Sequence, residues 1–268
     1  AAFLRGSVMD SVALLTHDVE AARSECSQTS SGADDRFLQK VIQSFNTWAF
    51  KREQPCRPQM MSRVVARAIE QKKPIDFVLY WGKGPRSEIA DPDLQCLDFL
   101  NSLCKRVCAV HGPGVAIKLV FTDTHAKLNG HSTESIAAYF GEVEREAKGR
   151  GFACHMLGDL TAAAAPSPDA GDEVVPPESL SLLAQSAMRW YRGQGTALDG
   201  AIRYYRMNMV EKRVIAKAFP SSVFVTFNGS EQRALFPDSL PIFYMYSMKR
   251  GTAVKPWFLP ATETPALT

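Results

Sequence analysis

From Ile75 to Trp81 the chain reads Ile-Asp-Phe-Val-Leu-Tyr-Trp, mostly apolar and rich in aromatic and β-branched residues. A run of this length and content predicts a strand buried on both faces of a parallel sheet. Val115–Phe121 and Phe152–Leu157 repeat the pattern. Helical spacing occupies the intervals, first over about 93–107 and then from a cap at Ser132 to about Lys148. Glu134 sits favourably in the first turn of the second helix, and Gly149 and Gly151 end it. The alternation over 75–157 predicts an α/β fold with a Rossmann-like, doubly wound, mostly parallel sheet.

Upstream, residues 9–26 have helical spacing. Asp34 or Asp35 can cap a second helix carrying Phe37, Val41, Phe45 and Trp48. A third helix covers about 59–71. These predict an N-terminal helical cap over 1–72 and a catalytic Rossmann-like domain over 73–268. Downstream, the Ala-, Pro-, Asp- and Gly-rich stretch 161–177 predicts a loop or lid. Helices are expected at 178–192 and 198–218, the second with Ile202, Tyr205, Met209 and Ile215 on one face. Ser222–Phe227 and Pro241–Met248 read as closing strands. The short interval between them predicts antiparallel neighbours.

Composition narrows the function classes. The 268 residues are 46% hydrophobic, enough for a sizeable core. The net charge is +3, and no clustered basic stripe points to nucleic acid. No apolar run reaches the ~18 residues of a membrane span. The first residues lack the layout of a signal peptide. Six cysteines lie scattered, without a CxxC pair, and read as reduced thiols. The expectation is a cytoplasmic protein acting on a small molecule.

In open α/β sheets ligands bind beyond the carboxyl ends of the strands. After the first strand comes Gly82-Lys83-Gly84-Pro85-Arg86, where glycines admit a close ligand and Lys83 and Arg86 can hold a phosphate or carboxylate. After the second comes Thr122-Asp123-Thr124-His125-Ala126-Lys127-Leu128-Asn129-Gly130-His131, expected as a loop. Asp123 is placed to bind ribose hydroxyls. His125 or His131 can act as a base near neutral pH, and Asn129 can anchor an amino-acid substrate. The two histidines lack a third partner for a metal. After the third strand, Asp159 in Gly158-Asp159-Leu160 can meet an adenine or cap a helix. Together these features fit an adenosyl ligand. S-adenosylmethionine (SAM) fits better than NAD because the full GxGxxG is absent. Tyr80, Trp81 and Tyr139 can then face the sulfonium through cation–π attraction.

The order Arg106-Val107, Gly112-Pro113-Gly114, a strand and an Asp-containing segment resembles the isocyanide synthase (pyoverdine/dityrosine biosynthesis) family. Tyr205-Arg206-Met207-Asn208, Phe219-Pro220, a strand and Pro256-Trp257 are similar to its closing section. The resemblance covers roughly residues 70–260. It implies a Rossmann-like fold and amino-acid chemistry in which the amino acid's nitrogen receives a carbon from ribulose 5-phosphate. Of the family's phosphate-side and Ser-Asp-Gly segments, only Lys83 and Asp123 carry over. Its His-Pro pair is replaced by Phe227-Asn228-Gly229. An antiparallel closing pair would also resemble class I methyltransferase-like folds.

The leading expectation is therefore a SAM-binding biosynthetic enzyme. One reaction is cyclisation to azetidine-2-carboxylate with release of methylthioadenosine, and the other is methyl transfer. His125, Asn129 and Tyr139 are the candidate catalytic residues. Tyr80, Trp81, Gly82, Lys83, Gly84, Arg86, Asp123 and Asp159 are the candidate SAM contacts. Isocyanide synthesis from an amino acid and ribulose 5-phosphate is the first alternative, and a non-enzymatic ligand-sensing module the second.

Overall fold

The computed structural model describes residues 32–82, 84–164, 174–245, 247–249 and 252–254. Within them helices α1 (Gly32–Phe45) and α2 (Pro58–Glu70) precede strand β1 (Ile75–Trp81). Then follow α3 (Asp91–Cys108), β2 (Val115–Phe121), α4 (Asp123–Leu128), α5 (Thr133–Gly149), β3 (Ala153–Met156) and α6 (Leu157–Ala163). Helices α7 (Pro177–Trp190) and α8 (Ala197–Ala218) lead to β4 (Val223–Thr226), a 3₁₀ turn (Ser230–Leu235) and β5 (Ile242–Tyr244). Strands β6 (Ser247–Lys249) and β7 (Thr252–Val254) complete the described elements.

β1 to β5 form one sheet in the order β3-β2-β1-β4-β5. Every pairing in it is parallel. The chain winds outward from β1 to β3, then returns to build β4 and β5 on the other side, as a doubly wound fold does. The apolar runs account for this. Phe77, Val78 and Leu79 in β1, and Val223, Phe224 and Val225 in β4, are all buried, as the centre of a two-sided parallel sheet requires. Phe45 packs edge-on against Phe77 and Phe243, with centroids at 5.3 and 5.5 Å. Phe121 stacks on Phe140 at 5.1 Å.

Several expectations are corrected. Ser222–Phe227 and Pro241–Met248 do not pair antiparallel. β4 and β5 are parallel, because the 3₁₀ turn between them carries the chain back across the sheet. The antiparallel pair is instead β6 with β7, in a separate sheet. By packing, the chain forms compact units over 1–39 and 40–268. Phe45 and Val65 belong to the core of the unit that carries the sheet. Trp48 lies beyond the end of α1 and is 60% exposed. The segment after β2 is the short helix α4 rather than a loop, and after β3 comes the short helix α6 with Asp159 in its first turn. The expected helix at 9–26, Pro256-Trp257 and the 165–173 portion of the expected lid lie outside the described residues. Among the described residues no helix is long and apolar enough to cross a membrane.

Candidate active site

The chain reverses direction between β1 and β4, and the carboxyl ends of these neighbours open a crevice there. A cavity of about 450 Å³ fills it. Tyr80 and Gly82 reach it from the end of β1, Thr122 and His125 from the end of β2, and Thr226 and Asn228 from the end of β4. Helices α7 and α8 and the 3₁₀ turn close the other sides with Trp190, Tyr204, Asn208 and Leu235.

His125 is the centre of a polar cluster. It lies in α4, a helix that starts directly after β2, so the parallel strand aims it at the crevice. Its Nε2 is 2.7 Å from Oε2 of Glu211, a carboxylate only 1% exposed on α8. Thr124 Oγ donates to the other carboxylate oxygen at 2.6 Å. The imidazole lies between two phenols, with Tyr204 at 5.0 Å and Tyr80 at 6.1 Å between ring centroids. Asn129 caps α4 and donates its amide to the His125 carbonyl at 2.9 Å. Asn208 is buried and donates to the Tyr204 carbonyl at 2.7 Å.

These surroundings hold both phenols protonated. Burial, followed by the charge of Glu211, pushes Tyr204 up to about 12. Burial and the same carboxylate push Tyr80 well above the ordinary tyrosine value. The Tyr80 hydroxyl is enclosed without a hydrogen-bond partner among the described residues.

The cavity wall carries two guanidinium groups. Among its described lining residues are Arg86, Arg192, His125 and His131, and no carboxylate. Arg86 is ion-paired with the buried Asp93, its Nη1 3.8 Å from Oδ2. The His131 ring rests against Gly84, which brings the two expected segments together at the rim.

No protein-family model matches the chain, and no curated protein matches its sequence. Solved structures do. The PvcA protein of Pseudomonas aeruginosa is 19% identical with a TM-score of 0.58, covering 82% of this chain and 87% of that one. Tyrosyl-tRNA synthetase complexed with L-tyrosine, from Pyrococcus horikoshii, is 15% identical with a TM-score of 0.43, covering 82% and 58%. The likeness to PvcA is one of fold.

Of the residues expected from sequence, Tyr80, Gly82, Gly84, Arg86, His125, Asn129 and His131 line this one cavity. Trp81, Tyr139, Asp123 and Asp159 do not. Tyr139 is fully buried, donates to Asp93 Oδ1 at 3.1 Å and accepts from Trp81 Nε1 at 3.4 Å. Burial and the Asp93 charge raise its phenol far above the ordinary value. Asp123 accepts the Gly158 N–H at 2.8 Å and the Lys127 ammonium at 3.1 Å. Gly158 has no room for a Cβ, which would stand 2.5 Å from Asp123 Oδ2. This aspartate therefore ties α4 to α6. Asp159 is exposed in the first turn of α6. Lys83 lies outside the described residues.

Sequence reasoning missed Glu211, Tyr204, Asn208, Trp190 and Arg192. A signal existed for Glu211. Tyr204, Asn208, Glu211 and Ile215 share one helix face by their spacing, and a carboxylate on a face that also buries Ile215 needs a partner.

Proposed function

We propose that the chain is an amino-acid-tailoring enzyme in which His125, oriented by Glu211, takes a proton from the substrate nitrogen. The observation that carries this reading is the enclosed Glu211 carboxylate clamped to an imidazole that faces the cavity. A buried carboxylate on one ring nitrogen fixes the tautomer and leaves the other nitrogen as the acceptor. It also stabilises the imidazolium that forms. Deprotonation turns an ammonium group into a nucleophilic amine.

The charge of the wall favours an anionic co-substrate. Arg86, which also pairs with the buried Asp93, and Arg192 line it, and no carboxylate does among the described residues. This supports the isocyanide-synthase-type reaction, in which the amine receives a carbon from ribulose 5-phosphate. The sequence resemblance and the fold shared with PvcA agree with it.

A second reading keeps SAM, on a specific observation. Tyr80, Tyr204, Phe224 and Phe236 line the same cavity and suit a sulfonium through cation–π attraction. His125 would then free the amine of SAM to attack its own γ-carbon. That forms the N–C bond of azetidine-2-carboxylate, breaks the C–S bond and releases methylthioadenosine. Methyl transfer would need an acceptor as well. Asp123 and Asp159 do not line the cavity, so the ribose and adenine would need other partners.

One experiment separates the readings. Pure protein is incubated with L-amino acids plus ribulose 5-phosphate, and separately with SAM alone, followed by mass spectrometry. An amino acid gaining one carbon supports the first reading. Methylthioadenosine without an acceptor supports the second. Ligand-induced thermal stabilisation with no product in any mixture would instead favour a ligand-sensing module.

A further inference from the structure

Helix α7 forms one wall of the cavity with Leu183, Ser186, Ala187 and Trp190. These positions follow the i, i+3, i+4, i+7 stripe of a single helix face. The helix packs along α8 but leaves most of its residues exposed or half-buried. Leu183 is its one buried residue, whereas α8 buries eight. Leu180, Ala184 and Ala187 are half-buried against the core, and the last turn leaves Met188 69% and Trp190 53% exposed. An indole that lines a cavity yet stays half exposed has apolar surface left to cover. A segment with few buried contacts opens at a small fraction of the global free energy.

The segment after α7 crosses to the opposite rim. The Tyr191 hydroxyl donates to the Gln194 carbonyl at 2.7 Å, and Arg203 on α8 holds both groups. Gly193 lies so close to the Leu128 carbonyl that a Cβ would collide with it. Leu128 and its neighbour Asn129 form the facing wall. Backbone therefore meets backbone across the mouth, Gly193 against Leu128 and Gly130 against Arg192.

We propose that residues 184–195 are a lid that closes on the ligand, with Trp190 the specificity-determining contact and Gly193 the latch. Trp190 packs on the apolar group of the ligand, and Arg192 brings a cation to the same side. The apolar group completes a packing face that the protein leaves unfinished. This deepens the amino-acid-tailoring reading and rests on it only for the identity of the ligand.

The test begins with hydrogen–deuterium exchange on the ligand-free full chain. Amides of 184–190 should exchange at least tenfold faster than the central amides of α8, and equal protection overturns the lid whatever the protein catalyses. Gly193→Ala should speed exchange of 184–195 at least threefold with an unchanged melting temperature. Unchanged exchange overturns the latch. The fluorescent apolar anion 8-anilinonaphthalene-1-sulfonate then probes the subsite. It should bind the wild type, bind Trp190→Ala at least fivefold more weakly, and bind Trp190→Phe nearly as well as the wild type. No binding to the wild type, or equal binding to Trp190→Ala, overturns the role of Trp190. If these results hold while neither amino acid with ribulose 5-phosphate nor SAM slows exchange of 184–195, the lid stands and the proposed function falls.

Discussion

His125 Nε2 and Glu211 Oε2 lie 2.7 Å apart although 86 residues separate them in the chain. One sits on a short helix after β2 and the other in the middle of α8, so only the folded sheet brings them together. A carboxylate in such enclosure is stable only with partners, and it has two, the imidazole and the Thr124 hydroxyl. The pair accounts for the chemistry proposed above and makes it open to substitution.

Glu211→Gln keeps the shape of the side chain and removes its charge. The imidazole then loses its fixed tautomer and the stabilisation of its protonated form. Steady-state kinetics on the reaction that mass spectrometry identifies should show kcat falling by roughly 10²–10⁴ with KM little changed. Wild-type kcat in this variant would remove His125–Glu211 from the mechanism.

His125→Ala leaves the Glu211 carboxylate enclosed with Thr124 alone. Breaking a buried pair from one side costs about 3–5 kcal/mol, so the urea midpoint should drop accordingly. A loss under about 1 kcal/mol would mean that water reaches the carboxylate in solution.

Among the described residues Arg86 is the cation that lines the cavity just after β1. Arg86→Ala should raise KM for ribulose 5-phosphate by about tenfold or more, in line with loss of a charged hydrogen bond worth about 1.5–3 kcal/mol. The same KM in both proteins would move the phosphate elsewhere.

Asp123→Ala should act on stability, because its carboxylate holds the Gly158 N–H and Lys127. The expected cost is about 1–3 kcal/mol by denaturant unfolding. Gly158→Ala should destabilise as well, since its Cβ would press on the same carboxylate. A stable Asp123→Ala protein that no longer binds SAM in calorimetry would restore the ribose role.

The phenols set an alkaline limit. Tyr204 is raised to about 12, and Tyr80 is raised too, so the folded state keeps protons that the unfolded state gives up near pH 10. The folded state binds more protons, so stability falls as pH rises through this window and is fully present below it. Unfolding free energy should decline from about pH 10 to 12, and less steeply in Tyr204→Phe. An equal slope in that variant would show that Tyr204 ionises normally in the folded protein.

Sequence alone determined the strands β1 and β2 to the residue, because each is a continuous apolar run bounded by turn residues. It also brought candidate residues to one place, since parallel strands present their carboxyl ends together. Tyr80, Arg86, His125 and Asn129 meet in one cavity for that reason. Tertiary structure alone decided the rest. Asp123 resembled a ribose ligand by position, yet a backbone N–H 35 residues away takes its oxygen. Tyr139 resembled a site aromatic, yet its hydroxyl serves Asp93 in the core. The direction of β5 depended on a 3₁₀ turn too short to leave a periodic signal. Glu211 found its histidine because the crossing of α8 over the sheet places it there. Hydrophobic period is a local property that a sequence carries. The partner of a buried charge is fixed by long-range packing.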